Sequence, residues 1–193
     1  MDFKKDLDFI LLLEEMKKIE RMTRVLGTNR RENDAEHSWH VAIMSLILRK
    51  YSKEEIDIDH VIKMILVHDL VEIYAGDTFA YDTQANIDKR QREEEAMIRL
   101  QSQVSQPFSD MLGMLWQEFE KMQTKEAKYA NAMDRLQPIM LNLAHDNGGT
   151  WASHSVTYDQ VLKRIEPIAY VNDDIYNFIL EKINIARDNG FIA

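Results

Sequence analysis

The feature that most constrains this chain is the run VIKMILVHDLVEIYAGD at residues 61–77, where ionisable side chains sit inside an apolar helical pattern. Nine of the thirteen positions at 61–73 are Val, Ile, Leu or Met, so a helix here is expected to be buried nearly all round. Within it, Val61, Ile65, His68 and Glu72 form one stripe, and Ile62, Leu66, Asp69 and Ile73 the next. His68 and Asp69 therefore lie about 100° apart around the axis, and Glu72 projects toward the same region one turn on. Burying an unpaired carboxylate costs several kcal/mol, so this doublet demands a salt bridge, a full hydrogen-bond set or a metal ion. Gly76 ends the helix, and Asp77 opens a loop that crosses the rim of any pocket formed there.

Two other stretches carry the same anomaly. A helix over residues 35–50, capped by Asp34, places His37 on one stripe with Val41, Met44 and Leu48. A later helix beginning near Thr124 puts Asp134 on one face with Ala127, Ala130, Pro138 and Leu141. Each residue alone is satisfied by an ordinary core role: a hydrogen-bonded histidine, or an aspartate paired with Arg135 or another arginine. Together, two imidazoles and two carboxylates from three buried helices suit one divalent transition ion, Mn, Fe, Co, Ni or Zn, better than Ca or Mg. Four protein ligands would close a tetrahedral structural zinc, whereas a six-coordinate ion keeps two positions for water and substrate. Glu72 and Asp77 favour the second arrangement, because a structural site has no use for extra acids.

The remaining chain reads as helices and connections. An amphipathic helix over roughly the first twenty residues uses Phe9, Leu12, Leu13, Met16 and Ile19. RMTRVLGTNRREND at 21–34 reads as a solvated loop gathering four arginines, one or two of which face inward as anion ligands. Residues 84–104 read as a solvent-facing helix anchored by Ile87, Met97, Ile98 and Leu100. A helix opened by Pro107 and Ser109 carries Leu112, Leu115, Trp116, Phe119 and Met122 for core or subunit interface. Pro138 is expected to kink the helix that carries Asp134. GGTWASHSV at 148–156 is an unassigned loop containing Trp151 and His154, and helices at 158–169 and 174–187 complete the core. The fold class is all-α, with no repeat and no strand alternation.

Composition bounds the partners. A net charge of −9 argues against a nucleic-acid groove or an anionic membrane, while leaving room for a small anion held by a cation and arginines. The absence of cysteine removes disulfides and thiolate metal sites. The start MDFKKDLDF does not resemble a signal peptide and no run reaches membrane-spanning length, so a cytoplasmic location is expected.

The segments ENDAEHSWHVA, HDLVEIYAGD and ANAMDRLQ resemble the HD-domain metal-dependent phosphohydrolases, and within them the branch containing bacterial 5'-deoxynucleotidases. The resemblance covers about residues 5–145. It implies one HD-type helical bundle over residues 1–193 and metal ligation by His37, His68, Asp69 and Asp134. It further implies that Glu72 acts on the metal-bound water, that Asp77 contacts the sugar hydroxyl, and that Arg21 and Arg30 hold the phosphate of a small nucleotide. Proteins of this kind often form homodimers. One position departs: Met22 stands where the deoxynucleotidases have tryptophan, and the spacing from Arg21 to His37 is one residue longer, which makes Arg24 an alternative to Arg21. The expected activity is phosphate release from deoxyribonucleoside 5'-monophosphates. The alternatives are a phosphodiesterase or nucleoside triphosphate hydrolase of the same metal type, or a non-catalytic helical binding protein stapled by its metal.

Overall fold

In the computed structural model, which describes residues 2–193, the chain is organised around α3 (Ile58–His68), packed between α2 (Asp34–Leu48), α6 (Phe108–Lys121) and α7 (Lys125–Ala144). α1 (Asp2–Leu12) continues into a 3-10 turn at Leu13–Lys17, and Phe9 and Met16 anchor this N-terminal arm in the core. On the far side of α7 lies α9 (Tyr158–Val171), itself covered by α10 (Asp173–Asp188). α5 (Lys89–Ser102) packs on α6 and on the short α4 (Glu72–Ala75).

The helix starts follow their caps. Thr124 accepts from the Ala127 amide and Asn172 from that of Ile175, while Thr157 and Gln160 form a reciprocal capping box. At α2 the cap is Asn33 rather than Asp34: Asn33 and Glu36 make the capping box, which moves Asp34 into the first turn, fully buried. α7 runs unbroken as a helix through Pro138.

Three expectations are corrected by the backbone. Residues 21–34 are not a plain loop; β1 (Glu20–Arg24) and β2 (Arg31–Asn33) pair antiparallel around a turn in which Gly27 takes φ 74°. With three to five residues per strand and only Thr23 and Glu32 buried, no alternation was available to reveal it. Residues 61–77 are not one helix: α3 ends at His68, Asp69–Val71 form a 3-10 turn, and α4 follows until Gly76 at φ 74°. Nor is α3 buried all round, since Lys63 and Leu66 face solvent. Residues 148–156 include a short helix, α8 (Gly149–Ser153), which sets Trp151 fully inside the core.

The core residues of α6 are Leu112, Leu115, Trp116 and Phe119, all buried within the chain, so they are not a subunit interface. In α5 the stripe that packs inward is Glu93, Ala96, Met97 and Leu100. Ile87 and Ile98, expected as anchors, are 74% and 69% exposed.

Candidate metal centre

The three helix faces converge. His37 from α2, His68 from the last turn of α3, and Asp69 offer ligand atoms that all lie within 4.8 Å of one another. Asp134 from α7 joins them: its Oδ1 is 2.9 Å from His37 Nε2 and 3.5 Å from His68 Nε2. The 3-10 turn after His68 shapes the rest. Side chains three apart eclipse in such a turn, which stacks Glu72 over Asp69, and Asp34, Asp69 and Glu72 also offer oxygens within 4.8 Å of one another.

Hydrogen bonds on the outer side of each imidazole fix which nitrogen faces the centre. His68 Nδ1 lies 2.7 Å from the Ile65 carbonyl, an acceptor only, so Nδ1 carries the hydrogen. Gln137 donates through Nε2 to Glu32 Oε1 at 2.6 Å, which turns its Oε1 toward His37 Nδ1 at 3.0 Å and fixes that hydrogen likewise. Thr23 Oγ1 donates to the other Glu32 oxygen at 3.0 Å, tying the hairpin into the same network. Such outer partners are the usual support of metal-bound histidine.

The residues fit a divalent ion. His68 Nε2 is buried, stands 3.1 Å from Asp69 Oδ1, and has no aligned hydrogen bond. Glu72 Oε2 and Asp34 Oδ2 are likewise buried without partners. Two imidazole nitrogens with carboxylate oxygens are the donor set of a transition ion. Burial disfavours charge on His68, yet Asp69 and Asp134 outweigh it and raise its pKa to about 10. Burial acts against the Asp69 charge too, but His68 and Arg21 hold this carboxyl below its ordinary range. Asp134, equally buried, is held well below its range by the His37 hydrogen bond and by His68 beside it. Glu72 goes the other way: burial and then the Asp69 charge push it well above the usual carboxylate value. Burial, with Asp69 next, lifts Asp34 to about 6, and burial raises Asp77 against the pull of Arg21. The acids in one site are thus split into two classes, the pattern that separates charged ligands from proton carriers.

His68, Asp69, Glu72, Asp77 and Asp134 line a cavity of about 260 Å³, whereas His37 and Asp34 are not part of its wall. Arg21 enters it from β1, with Nη1 2.8 Å from Asp69 Oδ2 and 3.1 Å from Asp34 Oδ1. Asp77 and Met22 are on its wall. Arg24 and Arg30 are not brought there: both are exposed, Arg24 bonding the Asn29 carbonyl and Arg30 gripping Glu36 with two nitrogens. The hairpin turn points them outward while β1 turns Arg21 in. His154 is not at the wall either, but packs on Phe79, which is, with ring centroids 4.9 Å apart.

Several site residues escaped sequence reasoning. Asp34 is a cap by residue type, yet it stands one turn before His37 and its side chain is buried at the site. Gln137 stands one turn after Asp134, a spacing that signals a shared face. Lys89, Glu93 and Glu120 line the cavity from segments that read as solvent-facing or core, and Arg164 reaches Asp134 from α9 at 3.6 Å.

A helical scaffold holding a buried His, His-Asp and Asp set at one end of its central helix defines a metal-binding class. The chain belongs to the HD-domain family: the family model for the HD domain matches residues 13–171. It is 29% identical to the 5'-deoxynucleotidase HDDC2 of Bos taurus over 135 residues, which are 69% of this chain and 64% of that protein. The protein of the same name from Dictyostelium discoideum is 31% identical over 140 residues, covering 69% of this chain and 74% of its own. The match to the cattle protein thus spans just under two thirds of that relative's length. The crystal structure of a predicted metal-dependent phosphohydrolase from Magnetospirillum magnetotacticum superposes with a TM-score of 0.92 at 37% identity, covering 100% of this chain and 96% of that one.

Proposed function

We propose that this chain is a metal-dependent phosphohydrolase that releases orthophosphate from deoxyribonucleoside 5'-monophosphates. The observation that carries the reading is the convergence of His37, His68, Asp69 and Asp134 beside a cavity that Glu72 and Asp77, two acids with raised pKa values, also line. His37, His68, Asp69 and Asp134 would hold one divalent ion, Mn, Co, Fe, Ni or Zn, which supplies Lewis acidity and a lowered water pKa.

The protein groups do the rest. Glu72, a buried carboxyl whose pKa burial and the Asp69 charge raise, carries a proton from the attacking water to the departing alkoxide. Arg21, already aimed at Asp69, places positive charge beside the phosphoryl oxygens and holds them for in-line attack. Asp77 accepts a hydrogen bond from the sugar, and Phe79 and Tyr81 give the base an apolar wall. A cavity of about 260 Å³ falls just below the usual range of ligand sites, which suits a mononucleotide rather than a polymer. The deoxynucleotidase names of the relatives support the same substrate class.

Product analysis tests the proposal. Metal-loaded protein is incubated with nucleoside 5'-monophosphates, triphosphates and phosphodiesters, with and without a 2'-hydroxyl. Orthophosphate from the deoxy monophosphates supports the reading; pyrophosphate or triphosphate from triphosphates selects the alternative hydrolase. No product from any substrate, with Asp69→Ala indistinguishable, sinks it.

Among the described residues no helix is long and apolar enough to cross a membrane, and the proposed location is the cytoplasm. The proposed homodimer uses the outer stripe of α2, where Trp39, Ile43 and Ile47 are exposed at helical spacing. Sedimentation of Trp39→Asp against the parent tests that contact.

A further inference from the structure

At the wall where α7 meets α9, two guanidinium groups line the cavity with almost nothing to bond. Arg164 has one charged neighbour within ion-pair distance, Asp134, at 3.6 Å from Nη2 to Oδ2, too long for a hydrogen bond. Arg135 has none among the described residues: its Nε is buried without a partner, and its Nη2 reaches the Met122 sulfur at 3.9 Å. A guanidinium carries five N–H donors and no acceptor. Asp134, the carboxylate that Arg164 approaches, is already engaged by His37 at 2.9 Å. The other cations of the cavity are committed, Arg21 to Asp34 and Asp69 and Lys89 to Glu93 at 3.4 Å. Uncommitted positive charge in this cavity is therefore concentrated on one wall, on two like charges that repel until an anion joins them.

We propose that Arg135 and Arg164 form a second anion subsite, which takes a second phosphoryl group of the substrate. The subsite rests on the phosphohydrolase reading for its use, but not for its existence. A planar fork of donors matches a phosphoryl group in two-point contact, the geometry for which arginine is favoured. Nucleotides carrying two phosphates then bind with one on the catalytic side and one on this wall, and free orthophosphate competes for it.

The experiment is calorimetric titration of the metal-free full chain with inorganic phosphate and with a deoxynucleoside 3',5'-bisphosphate, so that no metal contributes. The parent binds both; Arg135→Gln and Arg164→Gln weaken each by about tenfold or more, the loss of one charge-assisted contact. Arg24→Gln, an exposed arginine outside the cavity, leaves phosphate binding within about twofold. Arg164→Lys keeps the charge without the fork and falls between, and serves if the glutamine variant unfolds. Absence of phosphate binding in the parent, or binding unchanged in both Arg135→Gln and Arg164→Gln, overturns the subsite. Because the readout is binding, a protein that hydrolyses no ester still gives a clear answer here. In the active protein, Arg164→Gln raises KM for the bisphosphate more than for the monophosphate.

Discussion

Gln137 offers the sharpest perturbation, because it touches no expected ligand atom yet governs one. It is 1% exposed, accepts from His37 Nδ1 at 3.0 Å and donates to Glu32 at 2.6 Å. Gln137→Leu keeps most of the volume and removes both contacts, together with the 3.2 Å approach of Gln137 Nε2 to His40 Nδ1. On the His37 side the ring loses the group that fixes its tautomer, and metal affinity is expected to fall about 10- to 100-fold, or about 1.4–2.7 kcal/mol. On the Glu32 side a buried carboxylate keeps Thr23 but loses its amide donor, a charged hydrogen bond of about 1.5–3 kcal/mol. The second loss is read without metal, as a drop in urea midpoint or in Tm of roughly 3–12 °C. The first is read by competitive titration with Mn against a chelator. Metal affinity within twofold of the parent, while stability falls as expected, would refute the reasoning that Gln137 orients His37 for a metal.

Arg24→Ala and Arg30→Ala are expected to leave kcat/KM for a deoxynucleoside monophosphate within about twofold, since both side chains lie outside the cavity, whereas Arg21→Met lowers it by about tenfold or more. Trp151→Ala empties a fully buried site beside Tyr81 and should cost about 3–5 kcal/mol in denaturant unfolding. Asn33→Ala breaks the capping box at the start of α2, and is expected to lower the urea midpoint by the equivalent of about 1 kcal/mol.

Much of this site was legible because buried charge is rare enough to be read one residue at a time. His37, His68 and Asp134 each stood on an apolar stripe, and helical spacing alone brought the three faces into one account. What spacing hid was local conformation and long-range approach. The 3-10 turn at Asp69–Val71 leaves no mark in an apolar run, yet it sets Glu72 over Asp69. Asn33 and Asp34 are equally good caps by type, and only the backbone decides which one caps and which is buried against Arg21. In α5 the charge run masked Glu93, which shares a stripe with Ala96, Met97 and Leu100, whereas the bulky Ile87 and Ile98 drew the assignment outward. The convergence of Arg164 and Lys89 on the cavity comes from helices distant in sequence, which no local pattern encodes.

The central claim is that one buried cluster of His37, His68, Asp69 and Asp134 both holds the ion and makes the chain a phosphohydrolase. Parallel measurement of bound Mn and of orthophosphate released from a deoxynucleoside 5'-monophosphate, in the parent and in Asp69→Ala, tests it directly. The parent is expected to bind the ion and release orthophosphate, and Asp69→Ala to remain folded but lose both together. A parent that binds no divalent ion, or an Asp69→Ala protein that keeps its turnover, contradicts it.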